Sequence, residues 1–152
     1  MSELIQQLWH YNNWANQLLF DALKLQREAI PPVCLLLLSH LTNAQNIWVS
    51  RITGITPAVG VWEDFTLADC EKHHHLSSNA LTQVIADFKE EEHISINYTN
   101  TQNESYTNAL GDILLHIFNH GTYHRAQIAA EMRKNGLVPL NTDYITFARL
   151  KN

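Results

Sequence analysis

Residues 114–128, LLHIFNHGTYHRAQI, contain three histidines at four-residue intervals, His116, His120 and His124. Four-residue spacing places side chains one turn apart on the same side of an α-helix. Neutral imidazole is a common protein ligand for zinc, nickel and related ions. This stretch therefore predicts a helix that presents two ligands to one metal ion from a rigid base.

The apolar positions of this helix distinguish the three histidines from one another. The centre of its apolar face is defined by Leu110, Ile113, Leu114, Ile117, Gly121 and Ile128. At roughly 100° per residue, His124 lies about 40° from that centre, His120 about 80° and His116 about 120°. We expect His120 and His124 to line the edge of the buried face, and His116 to point toward solvent or to lie outside the ligands around the site. Gly121 leaves space for a neighbouring helix or a ligand.

The chain before this helix predicts three more long helices, because its few glycines and prolines cluster between long periodic segments. The first is expected over residues 2–28 and the second over residues 32–53, with Gly54 as its stop. The third is expected to begin at Thr66 or Asp69 and to end near residue 92. It carries an acidic and histidine-rich face that we expect to be exposed.

Residues 93–107 interrupt the helical pattern. Residues 93–98 alternate in polarity and, together with residues 104–107, predict a short hairpin. Asn108 is then expected to cap the fourth long helix, which ends near Gly136, and residues 143–150 to form a short helix. Four helices of about twenty residues or more predict an all-α four-helix bundle, and the 152 residues are expected to form one domain.

Composition excludes several classes of function. The chain is 45% apolar and 16% charged, as globular proteins are, and its formal net charge is −5 without a basic block. We therefore expect no binding to nucleic acid or to a membrane. The longest apolar run, residues 33–38, is too short to span a bilayer. The N-terminus lacks the regions of a signal peptide, and Cys34 and Cys70 are expected to be buried thiols, so a cytoplasmic location is predicted.

A third histidine on the second helix is a candidate partner for the pair on the fourth. His40 lies near the middle of an apolar face formed by Val33, Leu36, Leu37, Ala44 and Ile47. A buried polar group without a partner costs roughly 1–3 kcal/mol, so His40 needs either a hydrogen bond in the core or a metal ion. Three imidazoles with one open position are typical of a catalytic rather than a structural zinc-type site.

Other motifs are missing or weak. The HGTYH segment at 120–124 lacks the glutamate of a zinc peptidase motif, and the Glu-x-x-His pairs of di-iron bundles are absent from the second and fourth helices. No phosphate loop or dinucleotide fingerprint is present. The run of histidines at 73–75 points in three directions on a helix, which predicts a solvated face that binds metal only adventitiously.

The segment 114–128 closely resembles the hallmark of the DinB-like proteins of the DinB/YfiT superfamily. Residues 11–19, YNNWANQLL, are similar to the opening helix of that family, and residues 40–54, with Trp48 and the RITG at 51–54, are similar to its second helix. The resemblance extends over nearly the whole chain. It implies a four-helix bundle that holds a divalent metal ion.

The resemblance assigns the metal ligands to His40, His120 and His124. Imidazole suits zinc, nickel, iron or copper; zinc and nickel are expected first and iron next. The residues that could orient the ligands are His116, Asn119, Tyr123, Arg125 and Gln127. For Arg125 a surface ion pair is favoured instead, and for Asn119, Tyr123 and Gln127 the alternative is hydrogen bonding on the helix surface or packing at an interface. No catalytic side chain is assigned.

The resemblance also implies two alternative functions. Some relatives are metal-dependent transferases or isomerases that use low-molecular-weight thiols such as bacillithiol, mycothiol or glutathione. One hypothesis is therefore a thiol S-transferase acting on a small electrophile, or a related isomerase or hydrolase. The other is a non-enzymatic, stress-related bundle whose metal site is structural or vestigial. A homodimer is expected from the family and from the apolar residues Leu115, Phe118 and Ala129.

Overall fold

A computed structural model describes residues 2–26, 29–57, 59–89 and 92–150. Within these residues the chain forms five helices and one two-stranded antiparallel sheet, which confirms the predicted all-α class with a small hairpin. In chain order the elements are α1 (Ser2–Leu25), α2 (Pro32–Thr53), α3 (Leu67–Asp87), β1 (Ser95–Thr99), β2 (Ser105–Ala109), α4 (Leu110–Lys134) and α5 (Tyr144–Arg149). No helix in this part of the chain has the length and apolarity to cross a bilayer.

The helix ends follow local sequence signals. α2 begins with Pro32 and ends before Gly54, which adopts a φ of 73°, a conformation that glycine tolerates without strain. Thr66 caps α3, because its Oγ1 accepts a hydrogen bond from the Asp69 amide at 3.2 Å. α3 ends at Asp87, earlier than predicted. α1 ends at Leu25, and its predicted end at residue 28 lies outside the described residues.

The hairpin leads directly into α4, so the prediction that Asn108 caps this helix is wrong. Asn108 lies in β2 opposite Ile96, and its Oδ1 accepts a hydrogen bond from the Tyr98 hydroxyl at 2.8 Å. The amide of Leu110, the first residue of α4, donates to the Ile94 carbonyl at 2.8 Å. A backbone contact with the chain before β1 therefore takes the place of a side-chain cap.

Two apolar clusters fill the two ends of the bundle. One contains Leu81 of α3 and Leu114 of α4, and the other contains Phe20 of α1 and Ile128 of α4. Between them lies a set of polar residues, each at most 4% exposed, which we call the polar layer: Asn12, Asn16, Gln45, His74, Ser77 and Arg125. All four long helices contribute to this layer.

Hydrogen bonds connect the polar layer. Asn12 Nδ2 donates to Gln45 Oε1 at 3.1 Å, and Gln45 Nε2 donates to Ser77 Oγ at 2.7 Å. Asn16 Nδ2 lies 3.3 Å from His74 Nδ1, which accepts because an amide nitrogen donates. Arg125 Nη1 donates to the side-chain oxygens of Asn12 at 3.0 Å and Asn16 at 2.8 Å.

The polar layer corrects two predictions. His74 is 2% exposed, whereas a solvated face was predicted for the histidine run; only His75 is exposed and His73 is half-buried. Arg125 is also 2% exposed, so the alternative of a surface ion pair is wrong. In both cases polar partners on other helices take the place of water. The spacing of residues along one helix does not reveal such partners.

The apolar face predicted for α2 is also partly wrong. Val33 and Leu36 are 38% and 40% exposed, while every residue from 38 to 45 is buried. A helix that is covered on nearly all sides over two turns has no single apolar stripe for periodicity to find. His40 is nevertheless buried, at the start of this covered section.

Gly121 allows α1 to approach α4 closely. A Cβ at this position would lie 2.7 Å from Asn12 Oδ1 and 2.9 Å from Arg125 Nη1, both buried atoms that cannot move away freely. We expect Gly121→Ala to lower the free energy of unfolding by about 1–2 kcal/mol, because overpacking outweighs the gain of up to about 1 kcal/mol in helix propensity. Urea unfolding measures this. An increase in the free energy of unfolding would show that Asn12 and Arg125 can move aside at little cost.

Candidate metal centre

His40 of α2 meets His120 and His124 of α4 where these two helices pack together. One ring nitrogen from each of the three lies within 4.8 Å of the other two, so this group could hold a metal ion. His40 and His124 are 9% and 7% exposed, and His120 is half-buried. We call these three residues the histidine trio.

The loop between α2 and α3 fixes the orientation of His40. Its Nδ1 lies 3.2 Å from the Val61 carbonyl oxygen, which can only accept, so Nδ1 carries the proton and Nε2 keeps its lone pair. The Trp62 ring stacks on the imidazole with a centroid distance of 3.8 Å and an interplanar angle of 11°. Both contacts hold the ring in an orientation suited to a metal ligand.

Gln127 has the same role for His124. Gln127 Oε1 accepts a hydrogen bond from His124 Nδ1–H at 2.7 Å, which leaves the Nε2 lone pair of His124 available. The Nε2 atoms of His124 and His120 lie 3.1 Å apart. Two nitrogens bound to a tetrahedral zinc ion are separated by roughly 3.3 Å, since each zinc–nitrogen bond is about 2.05 Å long. The pair on α4 therefore has a spacing that suits a shared ion.

Burial keeps the trio neutral. It lowers the pKa of His40 and of His124 below the ordinary histidine value. For His120, burial and then the repulsion that a protonated ring would meet from protonated His124 and His40 lower the pKa to about 3. Neutral imidazole is the form that binds metal ions, so these three side chains are in their ligating form at neutral pH.

The other candidate residues lie around the trio in different ways. His116 is exposed, with its ring 5.6 Å from His120 and 5.1 Å from Trp48 between centroids, and it is outside the group that could share an ion. Tyr123 is 61% exposed and meets the His124 ring edge-on at 5.1 Å. Of the five residues proposed to orient the ligands, Gln127 alone has a hydrogen bond to the trio among the described residues.

Asn119 and Arg125 lie away from the histidine trio. Asn119 is exposed and, like Arg125, lines a cleft between α1 and α4. The Arg125 side chain turns into the polar layer rather than toward the trio. Neither residue has a hydrogen bond to a trio histidine in the part of the chain that the structure describes.

Val61 and Trp62 were not predicted from the sequence. Val61 acts through its backbone carbonyl, for which no side-chain pattern exists, and Trp62 follows Gly60 in a loop without periodicity. The available signal was a large aromatic residue in a loop with Pro57 and Gly60, outside the periodic segments. In the structure Trp62 is 60% exposed and has no place in the core.

The fold and the trio together define a class of protein: a four-helix bundle whose second and fourth helices bring three imidazoles to one point. The family model of the DinB family matches residues 1–151, so the chain belongs to that family. It is similar to protein DinB of Bacillus subtilis (strain 168), with 28% identity over 160 residues that cover 95% of this chain and 93% of that protein. The family resemblance inferred from segment 114–128 is thereby confirmed.

Proposed function

We propose that the protein binds a divalent metal ion, zinc or nickel, through His40, His120 and His124, and that it transfers a low-molecular-weight thiol to a small electrophile. The observation that carries the metal site is the convergence of three neutral imidazoles within 4.8 Å, two of them with Nδ1 already bound to an acceptor. Because no carboxylate belongs to this group in the described residues, the donor set suits zinc or nickel better than magnesium or calcium.

The metal ion, when bound, would lower the pKa of a thiol beside it and so favour the thiolate nucleophile. In the reaction the S–H proton passes to water, a carbon–sulfur bond forms, and the bond from the electrophilic carbon to its leaving group breaks with the electron pair going to the leaving group. Val61 and Gln127 would hold His40 and His124 with Nε2 toward the ion. Trp62 covers one face of His40 and is itself 60% exposed, so its free face is available to the substrate.

A second candidate is a non-enzymatic metal-binding protein. The observation that favours it is that His40 connects α2 to the loop before α3 through Val61 and Trp62, as a ligand in a structural site would. In that case metal binding would stabilise the fold without turnover.

A turnover assay separates the two candidates. Metal-loaded protein is mixed with glutathione, bacillithiol or mycothiol and with an electrophile such as chlorodinitrobenzene. We expect metal-dependent product formation that His124→Ala reduces to the uncatalysed rate and that His10→Ala, at an exposed histidine of α1, leaves unchanged. One bound ion per chain without turnover for any pair would favour the non-enzymatic protein instead.

We also propose a homodimer. Phe118 is 2% exposed and belongs to the core, so it is not available for an interface. Leu115, Leu4 and Ile94 are 51%, 49% and 40% exposed and line one apolar groove, which is the more suitable contact surface. We expect a dimeric mass by light scattering at micromolar concentration and a monomeric mass for Leu115→Glu. A monomer for the unaltered protein would contradict the proposal.

The cytoplasm is the proposed location. Cys34 and Cys70 are both buried and free, as in proteins of a reducing compartment. The formal net charge of −5 gives no support for partners such as nucleic acid or anionic membranes.

A further inference from the structure

A cleft of about 710 Å³ lies between α1, α4 and the C-terminal residues 139–144. This volume is within the usual range for small-molecule sites, which is roughly 300–1,000 Å³. Its walls are mixed: the apolar part includes Leu8, Phe118, Ala126, Ala129 and Leu140, and the polar part includes Thr122, Asn141 and a second cation, Arg133. The Tyr11 hydroxyl donates to the Thr142 carbonyl at 2.7 Å and so fastens the C-terminal wall to α1.

Arg125 lines this cleft and is only 2% exposed. Its Nη1 donates to Asn12 and Asn16, and its Nη2 donates to Thr122 Oγ1 at 3.0 Å. Its Nε–H has no acceptor among the described residues. The Tyr11 ring adds a face-on contact, with its centroid 5.2 Å from Cζ.

The charge of Arg125 is therefore uncompensated within the described part of the chain. No carboxylate there lies within ion-pair distance of it. The only acidic residue among those that line the cleft is Asp143, which is exposed. Amide and hydroxyl oxygens carry partial charges, and buried arginine is normally paired with a full negative charge.

We propose that the cleft binds a small organic carboxylate, with its apolar body between the cleft walls and its carboxylate at Arg125. A carboxylate supplies the missing negative charge, and it is the anion whose planar geometry guanidinium binds best. The site differs from the histidine trio: Arg125 and His124 are consecutive on α4 and point about 100° apart. The proposal does not depend on a bound metal or on thiol transfer.

The test uses benzoate as the probe and benzamide as its neutral counterpart, followed by amide NMR shifts of the full-length protein at low ionic strength. We expect benzoate to bind with a dissociation constant on the order of 1 mM and benzamide at least about tenfold more weakly. The largest shifts are expected at Thr122, Arg125 and Ala126. Equal affinity for both probes, or no saturation by benzoate at about 20 mM, would overturn the proposal.

Variants locate the bound probe. Ala126→Trp fills the cleft without touching the polar layer and is expected to weaken benzoate binding at least about tenfold, whereas Ala80→Trp, on the exposed face of α3, leaves it unchanged. Arg125→Met is expected to abolish the preference for benzoate over benzamide. Should this variant not fold, the Ala126→Trp result decides alone.

Carboxylates also bind divalent metal ions, so the same titration is run on His120→Ala. We expect its benzoate affinity to equal that of the unaltered protein. Loss of binding in His120→Ala together with normal binding in Ala126→Trp would place benzoate at the histidine trio and refute the cleft site. Because this readout is binding and not turnover, the thiol-transfer proposal can fail without affecting it.

Discussion

Replacing His120 by alanine is expected to weaken zinc or nickel binding by more than about 100-fold, and replacing His40 is expected to do the same. Groups that only orient metal ligands typically contribute 10- to 100-fold to affinity, and loss of a ligand exceeds this. His120 Nε2 lies 3.1 Å from His124 Nε2, and one ring nitrogen of each of the three histidines lies within 4.8 Å of the other two. Metal content per chain after dialysis, measured by elemental analysis on protein without a tag, gives the result.

Two matched variants test which side chains of α4 bind the metal ion. His116→Ala removes an exposed histidine of the same helix and is expected to change metal content little. Gln127→Ala removes the acceptor for His124 Nδ1 and is expected to give an intermediate loss, of about tenfold in affinity. If His116→Ala removed as much metal as His120→Ala, the assignment of the trio would be wrong.

The free energy of unfolding is expected to fall by about 2 kcal/mol between pH 7 and pH 5 through His74 alone. Burial, followed by the charges of His75 and Arg125, lowers the pKa of His74 to about 4, while Glu71 acts in the opposite direction. The unfolded chain, with a histidine pKa near 6.5, then binds more protons than the folded chain between about pH 6.5 and pH 4. Stability is therefore lost as the pH falls through this interval.

The comparison with His74→Gln isolates this contribution. Glutamine keeps a hydrogen-bond acceptor for Asn16 but does not titrate, so the variant is expected to lose about 2 kcal/mol less than the unaltered protein between pH 7 and pH 5. The measurement is urea unfolding of chelator-treated protein, which removes the pH dependence of metal binding. His10→Gln, at an exposed position, serves as the control. Equal pH dependence in all three proteins would contradict a buried, neutral His74.

Much of the fold could be predicted because its signals are local. The proline at 32 and the glycine at 54 mark the two ends of α2, and the alternating polarity within residues 93–107 predicts the hairpin. The pairing of His120 and His124 follows from helical spacing. The burial of His40 was predicted from an apolar face of α2, although two residues of that face, Val33 and Leu36, are exposed. These inferences need only the geometry of one helix at a time.

What could not be predicted depends on contacts between distant segments. His74 is buried because Asn16 and Gln45, on two other helices, offer it polar partners at 3.3 and 3.5 Å. Arg125 is buried because Gly121 leaves room for it beside Asn12. Polarity predicts exposure for both residues, and only the arrangement of four helices reverses that prediction.

The polar layer fixes the relative positions of the helices that carry the histidine trio. Apolar side chains tolerate many relative positions, and a helix can slide along its neighbours at modest cost if only such side chains meet. The hydrogen bonds from Asn12 to Gln45 and from Arg125 to Asn16 tolerate no such shift, since a displacement of one turn, about 5.4 Å, would break them and leave the groups buried. The two helices that carry the trio are thus held in a single register by residues that never touch an ion.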